Sequence, residues 1–403
     1  MAKKLSWPEA RDILTEQAAP VGTERKPLRD ACGRILAAPV TAVENVPPFD
    51  RSPYDGYALR SADTQGELPV TLKILEEIPA GSVPTAALTP GTAAKILTGA
   101  PVPEGADCCI KFEETEFGPE TVTVPVRLSP GENLVRAGED MRIGDLLADA
   151  GRRVDAGAAG AIASQGIAEV EVYRVPRVGV ISIGSELIEP GEPMRPGCIV
   201  NSSRYALQAA LEAEGLSVSF YPIPRDDTDA IAALVDAALT ENDAVITTGG
   251  VSVGDYDLTK AAYEQAGVRI LCGDLALKPG GKSWYGIRNG RLIFGLSGNP
   301  ASAMTNFYAV VLPCLRKLRG DPGGRLPEMY AALAESFGKS GKQTRLLRGR
   351  LILGESGPVF AAADKQGNSA IHTLAGANAL AEIPAGTGPL EAGAKVKIYY
   401  FGE

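Results

Sequence analysis

The stretch Ala244-Val-Ile-Thr-Thr248-Gly249-Gly250-Val-Ser252-Val-Gly254-Asp255-Tyr-Asp257 decides the fold. Five apolar or β-branched residues make a strand short enough to be wholly buried, and glycines end it at once. Two other stretches repeat the arrangement: Val178-Gly-Val-Ile-Ser-Ile183 runs into Gly184-Ser-Glu186-Leu187, and Leu292-Ile-Phe294 runs into Gly295-Leu-Ser297-Gly298-Asn299-Pro300-Ala-Ser302. Between them the apolar spacing is helical, from about Ser202 to Glu214, from Asp229 to Leu239 and from about Leu258. A last helix carries Met304, Phe307, Tyr308, Val311 and Leu315 on one stripe and is expected to kink at Pro313. Strand alternating with helix from 175 to about 320 predicts a doubly wound, mostly parallel sheet.

Working outward, the texture changes. Residues 1 to about 45 read as helical, with one amphipathic run opening at Trp7-Pro-Glu-Ala10 and a second from Pro27-Leu28 to Ile35-Leu36. From about 47 to 140 short strands (Pro69–Ile74, Thr92–Leu97, Asp107–Phe112, Thr121–Val124) alternate with Pro/Gly turns. Ala156 to Gln165 is again helical, and short strands such as 350–353 and 395–400 make a small C-terminal β domain.

The 403 residues, 45% of them hydrophobic, suffice for about three domains. No apolar run reaches the roughly 20 residues that span a bilayer, and the start has no signal core, so the chain reads as soluble, unexported and cytoplasmic. Six cysteines at irregular spacing read as reduced thiols. The single histidine, His372, leaves acid–base and metal chemistry to carboxylates and lysines. A net charge of −9 argues against nucleic acid as partner.

In an open parallel sheet, ligands bind outside the carboxyl ends of the strands. Glycines 249, 250, 254 and 298 let the backbone approach an anion and aim N–H groups at it; Ser252 and Ser302 sit in the same loops. Asn299-Pro300 is a favourable helix start. One such loop occurs in any fold of this kind; three together, with acids among the glycines, point to a site. Lys278-Pro-Gly-Gly-Lys282 is not a P-loop, because residue 276 is alanine where that motif needs glycine. Its two lysines read equally as phosphate contacts or as solvated surface groups. Glu186, Asp226, Asp227, Asp255 and Asp257 fall at the same predicted edge and suit Mg²⁺, a hard cation that takes oxygen ligands. Asp226-Asp227 reads equally as a helix N-cap.

The loops Ser182–Leu187, Gly249–Asp257, Leu277–Gly280 and Gly295–Ala303 closely resemble those of the molybdopterin molybdenumtransferases, the MoeA-type insertases and the gephyrin E domain. Ser52–Ala58, Ile96–Asp107 and Ala137–Asp140 extend the resemblance over nearly the whole chain. It implies a helical or linker domain of residues 1–46 and 141–174, a β-rich insertion over 47–140, a molybdopterin-binding α/β domain over 175–326 and a β barrel over 327–403. It further implies Mg²⁺-dependent insertion of molybdenum from molybdate into adenylylated molybdopterin, with release of AMP. By motif, Glu186, Asp226 and Asp257 would hold the metal, with Lys278 beside them. Asp55, Thr98 and Asp140 would complete the site of the partner protomer in a homodimer. Lys282, Arg348 and Ser369 would contact pterin or phosphate, and a molybdopterin adenylyltransferase is an implied partner.

Two positions depart from the family pattern. Ser297 stands where relatives carry proline, and Asp274 where they often carry a basic residue, four before the motif lysine. The second change removes positive charge from an anion site and leaves molybdate and tungstate both open. A non-catalytic cofactor store is the rival from another class; carboxylates kept at every motif position argue for catalysis. A single-domain adenylyltransferase would lack roughly 250 of these residues.

Overall fold

The computed structural model describes residues 4–251, 258–339 and 341–402. The chain divides into two compact units, residues 1–25 with 171–403, and residues 26–170. It opens on α1 (Trp7–Gln17), whose N-cap Ser6 and Glu9 form a reciprocal capping box. The second expected helix shrinks to one turn, Leu28–Ala31. Beyond it the backbone extends and bonds across to residues 152–154, through Gly33 N–H to the Val154 carbonyl and Leu36 N–H to the Arg152 carbonyl. Ile35 and Leu36 are therefore buried by pairing, where their spacing suggested a helix face.

The 26–170 unit is built on a six-stranded sheet: β1 (Gly56–Leu59), β2 (Val70–Ile78), β3 (Thr92–Ile96), β4 (Cys108–Lys111), β5 (Glu116–Phe117) and β6 (Thr121–Val124), in the order β4-β1-β3-β2-β6-β5. The Asp-Gly-Tyr-Ala segment, read from sequence only as a motif, forms the buried strand β1. Gly56 is obligatory there, since a Cβ would fall 1.9 Å from the Ile110 carbonyl oxygen. After the sheet comes α2 (Ala156–Ser164), capped by Asp155.

The α/β region follows: β7 (Arg177–Ser182), α3 (Ser202–Ala213), β8 (Ser217–Phe220), α4 (Thr228–Glu241), β9 (Ala244–Thr248), α5 (Leu258–Gln265), β10 (Arg269–Gly273), β11 (Trp284–Arg288), β12 (Arg291–Leu296), α6 (Pro300–Asn306) and α7 (Leu312–Leu318). The sheet order is β8-β7-β9-β12-β11-β10. Its first four strands are parallel, and β11 and β10 extend it antiparallel at one edge. Side chains alternate across it. Val178, Val180, Ala244, Ile246, Leu292 and Phe294 face a core shared with α1, α3, α6 and α7. Ile181, Val245 and Ile293 face the core under α4 and α5. A sheet buried on both faces explains why its strands read as continuous apolar runs. The break expected at Pro313 is a π-helical turn, Phe307–Val311, in which the Leu312 N–H reaches back to the Phe307 carbonyl.

The C-terminal strands are β13 (Glu328–Leu333), β14 (Thr344–Gly354), β15 (Gly357–Ala362), β16 (Ala379–Ile383) and β17 (Lys395–Tyr400). They pair in the order β14-β15-β13-β17-β16, and β16 returns to β14, closing a five-stranded barrel. Alternate residues such as Ala379, Ala381, Ile383, Val396 and Ile398 fill its interior. No helix among the described residues is long and apolar enough to cross a membrane. Four cysteines are buried, and burial alone pushes the Cys272 thiol up to about 11, which suits inert reduced thiols.

Candidate functional site

Because β7, β9 and β12 are adjacent and parallel, their carboxyl ends fall level: Ser182 pairs with Thr248, and Thr248 with Leu296. The three glycine loops therefore leave the sheet at one edge. Gly249 has φ +92°, and a Cβ there would meet the Ile183 carbonyl oxygen at 2.0 Å; Gly250 has φ +69°, with Thr259 Oγ1 at 2.2 Å. Only glycine fits either position. The Ser185 N–H donates to Asp226 Oδ2 at 3.0 Å, tying the β7 loop to the approach to α4.

A cleft of about 630 Å³ opens over these loops, lined by Gly184, Glu186, Asp226, Gly249, Gly250 and Gly298 among others. The two readings of Asp226-Asp227 divide between the two residues. Asp227 Oδ1 caps α4 by accepting from the Ala230 N–H at 2.8 Å, while Asp226 faces the cleft. Asp257, the third acid of the expected metal set, lies outside the described residues, as do Asp255, Ser252 and Gly254. Among the described residues no group of three or more acidic, histidine or cysteine side chains is placed to hold a metal. Glu186 and Asp226 are thus a pair of hard oxygen donors on one wall.

A second cleft, of about 370 Å³, shares Val251, Ser297 and Asn299 with the first and is lined by Lys4, Lys278, Lys282, Gln343 and Asn368. Acid and lysine walls therefore meet at the ends of β9 and β12. Asn299 stands at the N-cap of α6 without a side-chain capping bond, so its amide is available to the cleft. Ser297 in place of proline does not leave the loop slack, because its hydroxyl accepts the Asn299 N–H at 3.3 Å. Gly280 accepts from buried Asn306 at 2.5 Å, which seats the Lys278–Lys282 turn on α6. Ser302 is buried and bonds the Asn368 carbonyl through its N–H at 3.1 Å. It acts there as a tether between α6 and the barrel.

Arg348 is wholly buried in β14, and burial lowers its pKa. Among the described residues no carboxylate pairs with it. Nε donates to Thr373 Oγ1 at 3.0 Å, and Nη2 to the carbonyls of Lys365 and Gly367. It reaches the lysine cleft only through the 365–369 loop that it holds, which carries Asn368 and exposed Ser369. In the other unit Asp55 and Thr98 are in direct contact, Asp55 Oδ1 accepting from the Thr98 N–H at 2.7 Å and from its hydroxyl at 2.9 Å. These bonds hold the Asp55 carboxyl below the ordinary 3.8. Asp140 is exposed, and its N–H donates to the Val46 carbonyl at 3.0 Å. Sequence reading missed Lys4, Gln343 and Asn368 as cleft residues: Lys4 and Gln343 carry no motif, and in Gln366-Gly-Asn-Ser369 it singled out only the serine.

An edge of parallel strands with glycine loops, carboxylates on one wall and lysines on the other, joined to a barrel, defines a multidomain α/β protein built for an anionic small ligand. The comparisons with known proteins narrow that class. Residues 5–166 match the MoeA N-terminal region (domain I and II), 179–317 the probable molybdopterin binding domain, and 330–401 the MoeA C-terminal region (domain IV). Molybdopterin molybdenumtransferases of Staphylococcus epidermidis and Staphylococcus aureus are similar at 35% and 34% identity, covering 96% and 97% of this chain and 94% of each relative. A molybdopterin biosynthesis MoeA protein from Pyrococcus horikoshii superposes with TM-score 0.89 at 30% identity, covering 100% of both chains. The chain belongs to the molybdopterin molybdenumtransferase family and is a transferase.

Proposed function

We propose that the chain inserts molybdenum from molybdate into adenylylated molybdopterin in a Mg²⁺-dependent reaction that releases AMP and forms molybdenum cofactor. The observation that carries this reading is the meeting of an acid-lined and a lysine-lined cleft at Val251, Ser297 and Asn299. A phosphorylated pterin and a dianionic oxyanion need adjacent cationic and metal-binding walls, and these two clefts supply them.

Glu186 and Asp226, with Asp257, would hold Mg²⁺; one or two carboxylates completed by substrate phosphates is the usual donor set for that ion. Bound there, the ion would offset charge on the pyrophosphate as adenylate leaves. The chain's own groups orient and neutralise. The Gly249 N–H is spent on the Leu296 carbonyl at 3.0 Å and fixes the loop; amides of Gly250 and Gly298 approach the phosphates, Lys278 and Lys282 face the anion, and Asn299 and Ser297 stand between the two. Ser252, Gly254, Ser302, Arg348 and Ser369 complete the proposed ligand contacts, directly or by holding the loops.

Asp55, Thr98 and Asp140 are polar motif positions in the β-rich segment, and all three stay exposed although Asp55 and Thr98 bond each other. They support a homodimer in which each protomer completes its partner's site. Light scattering should then give twice the 42.0 kDa chain mass. The deciding experiment incubates the protein with adenylylated molybdopterin, Mg²⁺ and either molybdate or tungstate, and follows AMP. Release that requires both metal and molybdate is expected. Tight pterin binding with no AMP under any condition would make the protein a store, and release with tungstate alone would change the metal.

A further inference from the structure

The loop carrying Lys278 and Lys282 is closed by two main-chain bonds, Asp274 N–H to the Ser283 carbonyl at 3.1 Å and Leu275 N–H to the Gly281 carbonyl at 2.7 Å. A third, from the Ala276 N–H to the Leu5 carbonyl at 2.7 Å, lays the N-terminal segment along it. That segment is anchored in turn, since Trp7 is buried and meets Tyr399 of the barrel edge-on at 5.0 Å. Lys4 is thereby delivered to the mouth of the lysine cleft.

Asp274 has φ +55°, a left-handed conformation that an aspartate adopts at less cost than most residues. Each of its carboxylate oxygens meets a different lysine: Lys282 Nζ lies 2.8 Å from Oδ1 and Lys4 Nζ 3.2 Å from Oδ2. Burial raises the carboxyl's pKa, but the two lysines more than reverse this, so it stays ionised. An ammonium has three donors, so each lysine keeps donors for the cleft after serving Asp274.

We propose that Asp274 is a positioning residue that recruits Lys4 into the anion cleft, where Lys4 joins Lys278 and Lys282 in binding the tetrahedral oxyanion. This rests on the insertion reading above. Three ammonium groups against one carboxylate leave a net charge of plus two, matching a dianion. A positive charge that could have been carried by residue 274 itself is instead brought from the N-terminal segment, with the acid as its bracket.

The test uses Lys4→Met and Asp274→Asn in the full chain, with molybdate as ligand, read by calorimetric titration and by steady-state AMP release. Both variants should raise the molybdate Kd and KM about three- to fivefold, the size of a half-exposed charge contact. The kcat at saturating molybdate and the unfolding midpoint should stay near wild type, and Asp274→Glu, which still reaches both lysines, should recover most of the loss. An unchanged Kd in Lys4→Met overturns the proposal. So does a lowered Kd in Asp274→Asn, the result expected if the acid only repelled the anion. Molybdate binding by the wild type without AMP release would sink the insertion reading instead, leaving the Kd comparison to decide this one.

Discussion

Gly298 stands back to back with Gly249: a Cβ on Gly298 would lie 3.3 Å from the Gly249 Cα. The loops after β9 and β12 touch backbone to backbone because neither residue has a side chain, and this contact forms the floor where the two clefts meet. With Gly249 also pressed on the Ile183 carbonyl, all three loops are locked by one residue.

Gly249→Ala should therefore be severe. It combines a positive φ with a methyl forced onto backbone, and an unfolding free energy lower by about 2–4 kcal/mol is expected. Gly298→Ala meets only a tight contact and should cost about 1 kcal/mol. Urea midpoints at unchanged m-value give the comparison. Equal losses would show that the floor relaxes freely.

The two acids on the cleft wall predict a metal phenotype without a folding phenotype. In Glu186→Gln and Asp226→Asn, AMP release should fall about a hundredfold, and the Mg²⁺ concentration for half-maximal rate should rise. Asp257→Asn should behave alike on the motif reading. Wild-type Mg²⁺ dependence in all three would remove them from the metal site.

Asp55 and Thr98 allow a local test in the other unit. The Asp55 carboxyl should titrate below 3.8, held there first by the Thr98 N–H and then by its hydroxyl. Thr98→Val keeps the amide and deletes the hydroxyl, so the carboxyl should move part of the way back, as followed by carbon-detected NMR. A carboxyl that already titrates at 3.8 in the wild type would mean the contact is absent in solution.

Asp243 gives a pH prediction for stability. Burial raises its pKa, but the Arg174 fork, at 2.8 and 3.1 Å, and the Arg177 N–H, at 2.8 Å, outweigh burial and bring it below 3.8. A carboxyl depressed on folding contributes stability above its unfolded pKa and loses it as pH falls through the folded value. Asp243→Asn should cost about 2 kcal/mol near neutrality, and the gap from wild type should close below about pH 4. A gap that stays constant down to pH 2 would mean that the lost bonds matter only through geometry.

The unequal legibility of these features has physical causes. The strand at 244–248 and its flanking glycines were readable because a strand buried on both faces must be continuously apolar, and a backbone at positive φ with no room for a Cβ must be glycine. The second N-terminal helix was misread because Ile35 and Leu36 are equally buried by a helix face or by pairing with residues 152–154. Gly56–Leu59 was read as a motif and not as a strand, since four residues are too few to show a period.

Sequence alone determined the alternation that makes the sheet, the three glycine loops at its edge and the family pattern of acids and lysines. These follow from local constraints, backbone conformation and burial, which each residue carries with it. Only the tertiary structure decided that Asp227 caps α4 while Asp226 faces the cleft, that Arg348 is buried under the 365–369 loop, and that Lys4 reaches Asp274. Such contacts join segments far apart in the chain, and their energies depend on distance and solvent exposure, quantities that exist only once the chain has folded.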